Sequence, residues 1–177
     1  NTNSRTFVSW NWKANGQGSA NTDGSINSTY TSANTTAGVS IVSYTGTGSN
    51  ATVGHGLGVA PKVVFIKRRS ATSQWVLGHK SLGFTKFLEL NLTGAAQTNS
   101  NRFNDTDPTS TVFSIGTEGD VNASGQTYVA YCFAEKTGFS KFETYVGNQN
   151  DDGPFVYTGF KPAWVMIKNA DASEQWR

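Results

Sequence analysis

Pro61-Lys-Val-Val-Phe-Ile-Lys67 is answered 101 positions later by Pro162-Ala-Trp-Val-Met-Ile-Lys168. In the first copy Val64 and Ile66 fall on one side of an extended chain, and Val63 and Phe65 on the other. Their counterparts Val165, Ile167, Trp164 and Met166 are apolar on both sides too. A short run with no polar side, opened by a proline, reads as a strand covered on both faces. The match continues outward. Tyr44, Gly46 and Gly58 return as Tyr145, Gly147 and Gly159, and Gln74-Trp75 returns as Gln175-Trp176.

A second echo has another spacing. Thr6-Phe-Val-Ser-Trp-Asn-Trp12 resembles Thr127-Tyr-Val-Ala-Tyr-Cys-Phe133 at an offset of 121. The extra positions fall in the Asn/Gly/Ser/Thr stretch 15–37. Repeats of about a hundred residues suit a small domain rather than a solenoid unit. The expected organisation is therefore residues 1–14 as the closing strand of one repeat, 15–37 as an exposed linker, 38–136 as one complete repeat and 137–177 as the opening of the next. The segment reads as a window on a tandem array.

Alternation places Val8, Trp10 and Trp12 on one face of the first segment, as Val129, Tyr131 and Phe133 lie in the later copy. Because both copies keep that face bulky, it is expected to be the core side. Further strands are expected at Val39–Thr45, Trp75–His79, Phe87–Leu92, Val112–Ile115, Lys141–Val146 and Phe155–Tyr157. Turns rich in Gly, Asn and Asp separate them, including Gly46–Asn50, Gly54–Gly58 and Asn150–Gly153. No window carries a helical stripe. The fold class is all-β, an antiparallel sandwich with jelly-roll-like topology built from repeats of about a hundred residues.

Charged residues make up only 15% of the 177, and the formal net charge is +2. That balance argues against a nucleic-acid partner. The basic triplet Lys67-Arg68-Arg69 reads as a solvated strand end rather than a phosphate site. No apolar stretch is long enough for a membrane helix, so membrane insertion is not expected. Cys132 is the only cysteine and sits in an apolar run, which points to an inert buried thiol without a disulfide framework.

The combination of Phe7-Val-Ser-Trp-Asn-Trp-Lys-Ala14, Val53-Gly-His-Gly-Leu-Gly-Val-Ala-Pro-Lys62, Val121-Asn-Ala-Ser-Gly-Gln-Thr-Tyr-Val-Ala-Tyr-Cys-Phe-Ala-Glu135 and Gly153-Pro-Phe-Val-Tyr-Thr-Gly-Phe160 resembles a repeated domain of unknown function. That domain occurs in large, tail-fibre-like structural proteins of aquatic tailed phages, including cyanophages. The resemblance covers nearly the whole chain. It implies a virion or extracellular setting and partners that are copies of the chain or other virion structural proteins. It brings no catalytic residue set. The phage setting rests on the resemblance alone.

Chemistry-bearing motifs are few. Asp120-Val-Asn-Ala-Ser-Gly125 matches the first half of a calcium loop, which makes Asp120, Asn122 and Ser124 weak candidate ligands. The carboxylate needed at loop position twelve is missing, since Tyr131 stands there, and an Asx-rich hairpin is the competing reading. No other cofactor is expected. His55 lies between glycines and its counterpart is Val156, so a local hydrogen bond is favoured over catalysis. The acid pairs Asp105/Asp107 and Asp151/Asp152 sit in turn sequences.

The aromatics Phe7, Trp10, Trp12, Trp75, Trp164 and Trp176 are the interaction candidates. Two functions compete for them. One is a non-enzymatic structural module, with the unfinished edge at 141–168 open to strand pairing and Phe7–Trp12 as a possible donor. The other is a carbohydrate-binding module for host-surface glycans, whose sugars would stack on exposed rings.

Overall fold

The computed structural model describes Ser4, 6–9 and 11–177. Nine strands form in the order β1 (Tyr30–Asn34), β2 (Val39–Thr45), β3 (Ala51–Gly54), β4 (Val63–Arg68), β5 (Trp75–His79), β6 (Lys86–Glu89), β7 (Gln97–Thr98), β8 (Val112–Ile115) and β9 (Thr127–Phe133). A 3₁₀ turn (Lys80–Leu82) and two helices of one turn each, α1 (Ser100–Phe103) and α2 (Gly119–Asn122), connect them. The protein is mostly β, as its turn spacing predicts.

Seven strands make one antiparallel sheet in the order β1-β2-β9-β4-β5-β6-β7, and β3 pairs with β8 in a second. The layers are thus unequal, and two comparable jelly-roll sheets do not form. At the centre lies β9. It pairs with β2 from Val39↔Phe133 to Thr45↔Thr127 and with β4 from Val63↔Phe133 to Arg68↔Tyr128. Every strand of this trio is rich in β-branched and aromatic residues, which suit a pleated surface packed on both sides.

The two faces of the long sheet are buried unequally. Val42, Tyr44, Val64, Ile66, Val76, Tyr128, Ala130 and Cys132 point into the main core against Val53, Phe103, Phe113, Ile115 and Val121. On the reverse, Val39, Val63, Leu77, Leu88 and Phe133 form a smaller cluster, with Phe65, Tyr131, Phe142 and Trp176 packed against it. This corrects the expected core side. In β9 the face with small Ala130 and Cys132 is the deeper one, because β3–β8 and α1 press close to it; the bulky face meets the smaller cluster.

Three further expectations change. Residues 15–37 are not a detached linker: they carry β1, the bridge Ser19↔Thr31 and buried Ile26. Hydroxyl and amide groups hold this stretch where apolar periodicity is lacking. Asn21 N donates to Ser28 Oγ at 2.9 Å, Ser28 Oγ lies 2.8 Å from Thr31 Oγ1, and Asn15 N donates to Ser32 Oγ at 2.9 Å. Secondly, the expected strands Lys141–Val146 and Phe155–Tyr157 do not form, and none forms among the described residues of Phe7–Trp12.

Thirdly, no folded second repeat of about a hundred residues is present. One fragment of its pattern is. Ile167 and Arg177 exchange two backbone hydrogen bonds at 2.9 Å, in the register of Ile66↔Val76. In the body β4 is held between β5 and β9, whereas no strand forms at 164–168 among the described residues.

The β1–β2 connection brings both flanks to one end of the sheet. Gly38 turns there with φ of 71°, and a Cβ would stand 2.5 Å from Ala134 O. Ala134 N donates to Gly38 O at 2.8 Å, and Asn34 Nδ2 donates to Lys13 O at 3.0 Å. Lys13 and Ala134 are therefore tied to the two ends of one short turn.

Candidate functional site

Aromatic rings converge on Phe133, the last residue of β9. Trp12 meets it edge-on at 5.5 Å, Phe65 at 5.7 Å, and Phe142 is tilted against it at 6.1 Å. Trp12 also makes an edge contact with Trp164 at 6.1 Å. Two residues along the same face of β9, Trp75 stacks on Tyr131 at 6.2 Å. Such pairs contribute roughly 0.5–1.5 kcal/mol each beyond the area they bury.

The structure brings Trp12 and Trp164 together, as partners in this strip. Trp75 and Trp176 are half-buried. Trp176 belongs to the cluster on the reverse face, and its indole N–H points at Glu89 O (3.4 Å) and Leu92 O (3.2 Å). The adjoining backbone follows, with Glu174 N donating to Thr93 O and Ala96 N to Ala170 O. Phe7 is 63% exposed, and Trp10 lies outside the described residues. Sequence reasoning missed Phe133 as the hub and Phe142 as its flank contact. The signal was present, since Phe133 ends the bulky face that both copies share.

The remainder of the surface is informative by contrast. Among the described residues, fifteen large hydrophobic side chains are exposed, and twelve of them lie in 1–14 or 137–177. Only Tyr30, Val59 and Leu92 belong to the body. Local apolar concentration of this kind marks a surface suited to contact.

The candidate calcium ligands do not converge. Asp120 lies on α2 and accepts from Arg102 Nη1 at 2.6 Å and from Gln74 N at 3.4 Å. Asn122 is fully buried; its amide donates to Ser49 O (2.6 Å) and Gly116 O (2.8 Å) while Oδ1 accepts from Thr47 N (2.8 Å). Ser124 is exposed. Asp120 and Asn122 thus fasten α2 to its neighbours. Among the described residues no group of three or more His, Cys, Asp or Glu could hold a metal ion.

Other buried polar groups are similarly occupied. Arg102 sits over the Phe87 ring at 4.8 Å and reaches Glu89 at 3.6 Å as well as Asp120. Tyr44 and Tyr128 stack at 5.2 Å and donate at 2.7 Å to Val121 O and Gly119 O, pinning α2 from below. Burial, then the neighbouring Tyr128, raises the Tyr44 phenol well above its usual pKa. The buried Cys132 thiol is pushed up as well. His55 makes the expected local bond, with Nδ1 accepting from Leu57 N at 3.2 Å and Nε2 at 3.2 Å from Thr109 O. Burial lowers its pKa, opposed by Thr109 and Asp23.

With the geometry in hand, the chain can be placed among known sequences. A family profile described as a domain of unknown function, DUF7483, matches residues 1–177. The protein belongs to the DUF7483 family. No curated protein and no solved structure matches it. The DUF7483 match embraces the body and both flanks, so the aromatic strip that joins them lies within the family's own span. No helix among its described residues is long and apolar enough to cross a membrane.

Proposed function

We propose that this chain is a non-enzymatic structural module that assembles through repeat–repeat and chain–chain β packing. The observation that carries the reading is the division of its surface. A body with few exposed large apolar groups bears two flanks whose sequences copy the body's own central strands and whose side chains are left in solvent. Leaving such groups in water costs about 25 cal/mol per Å² of apolar area that a partner could cover. The half-formed Ile167–Arg177 pair and the docking of Trp176 on Glu89–Leu92 supply a physical basis for packing one repeat against the next.

Its setting, in this reading, is a phage fibre or related virion appendage, exposed to the exterior. Its partners are copies of itself or other virion structural proteins. This part rests on the sequence resemblance described above. Sedimentation velocity across a hundredfold concentration range tests the assembly reading: a rising sedimentation coefficient is expected, and a strict monomer throughout contradicts it.

The exposed rings of Trp12, Trp164 and Tyr157 favour a second reading, a carbohydrate-binding module for host-surface glycans. Saturable, sugar-specific binding on a glycan array, lost in Trp12→Ala or Trp164→Ala, would establish that reading instead.

A further inference from the structure

We infer that the hairpin at 167–177 of one copy docks on residues 89–96 of a second copy, repeating there the contact it makes on its own chain. This rests on the assembly reading and names the surface through which copies meet.

The hairpin keeps its shape through bonds of its own. Ile167 and Arg177 close it with two backbone hydrogen bonds at 2.9 Å. At its tip Asn169 Oδ1 accepts from Asp171 N at 2.9 Å and from Ala172 N at 3.2 Å, an Asx turn. Lys168 Nζ spans the loop, donating to Asn169 O at 2.6 Å and to Ala172 O at 3.2 Å. In the body Lys67 Nζ closes the β4–β5 loop in the same manner, through Ser73 O at 2.6 Å. Moving the hairpin from one body to another breaks none of these bonds.

The receiving surface is equally defined. From the end of β6 the chain leaves the sheet, and backbone groups there are met by the hairpin. Glu89 O and Leu92 O accept from Trp176 Nε1 at 3.4 and 3.2 Å, Thr93 O accepts from Glu174 N at 2.9 Å, and Ala96 N donates to Ala170 O at 2.8 Å. The Trp176 ring packs on the reverse-face cluster that contains Leu77 and Leu88. A tryptophan seated on an apolar patch with its N–H satisfied is the usual anchor of a protein interface.

What joins this hairpin to the body does little to hold it there. Among the described residues, the hydrogen bonds of 144–163 are local, as from Asn148 to Asp152 and from Thr158 to Phe160. Val146 is 88%, Phe155 89% and Tyr157 73% exposed. Extended, such a tether of about twenty residues spans roughly 65 Å, well beyond the width of a body this size. Trp164 travels with the hairpin, and its edge contact with Trp12 is remade on the receiving copy. Exchange therefore costs no contact. A tether crossing to a second body can also lay its exposed apolar groups against that body, a gain the single chain leaves unused. Within one chain the tether holds the hairpin at a local concentration of about millimolar, so exchange grows with protein concentration.

The test uses full chains. Ala96 and Ala170 lie across one backbone hydrogen bond, within reach of a disulfide. Cys132 stays out of the exchange because it is buried and its thiol is held protonated. Ala96→Cys chains mixed with Ala170→Cys chains at high concentration and oxidised mildly are expected to link far more than either variant alone. Adding Trp176→Ala to the Ala170→Cys chain is expected to lower the yield about tenfold, the loss appropriate to a tryptophan anchor. These positions lie outside the body's strands, and melting curves like that of the unmodified chain check that the body is intact. Sedimentation gives a readout free of disulfide geometry: the Trp176→Ala chain is expected to stay monomeric where the unmodified chain associates.

A cross-linking yield or an association that survives Trp176→Ala would overturn the proposal. So would an Ala96→Cys/Ala170→Cys double variant whose disulfide closes within one chain at every concentration, since the hairpin would then never leave its own body. If the mixture gives no linked pairs while the unmodified chain still self-associates, the exchange falls and the assembly reading stands. A strict monomer that never links removes both.

Discussion

Residues 63–67 and 164–168 are near-copies with opposite fates. In the first, Val64 and Ile66 are completely buried; in the second, Val165 is 59% and Ile167 38% exposed. Hydrophobicity and β-propensity are nearly the same in the two, so neither decides the outcome. Partners decide it. β4 has β9 on one side and β5 on the other, whereas in 164–168 Ile167 exchanges backbone bonds with Arg177, the counterpart of Val76 in β5. A strand's identity is thus conferred by what lies beside it.

The strongest way to sharpen that contrast is to damage what only the body has. Arg102→Ala leaves Asp120 and Glu89 facing a buried void without their cation, and should cost about 4 kcal/mol. Chemical denaturation would read this as a lower midpoint with an unchanged slope. A cost below about 1 kcal/mol would mean the body is not organised around that buried cluster.

The next effect compares the copies directly. Ile66→Ala should remove about 3 kcal/mol of stability, because the side chain is enclosed by the main core. Ile167→Ala should change the stability of the dilute monomer by less than about 0.5 kcal/mol. Equal costs at the two positions would break the comparison, since they would require the flank to be as well packed as the body.

The smallest effect is a pH dependence seated in the body. Burial lowers the pKa of both His55 and His79 from the ordinary value of 6.5. The native state then binds fewer protons than the unfolded chain. Their contribution is full above pH 6.5 and is lost as the pH falls below that value. The melting temperature should drop between pH 7.5 and pH 5, and His55→Gln should flatten part of that slope while lowering stability at neutral pH. A melting temperature that rises over the same interval would contradict the buried, neutral assignment.

The long apolar runs were legible in the sequence because their signal is local. Val39–Thr45, Trp75–His79, Val112–Ile115 and Thr127–Phe133 form as strands with the bounds that alternation suggests. β1 was not legible. Tyr-Thr-Ser-Ala-Asn has little apolar content, and it is an edge strand secured by hydroxyl and amide bonds that periodicity does not register. β3 was missed between two Gly-rich turns, since only its pairing with β8 makes it a strand. The choice of core face failed for a related reason. Side-chain size says which face is bulky, but how closely the opposing layer approaches determines which is deeper. Of the interaction residues, the tryptophans stood out by type, while Phe133 emerged only when Trp12, Phe65 and Phe142, from three separate segments, met around it.

The turn at Gly38 ties down Lys13 on one side through Asn34 and Ala134 on the other. Pulling on the segment before Lys13 would therefore load this corner at the sheet's edge first, and the Lys13–Asn34 bond would part before the force reached the core.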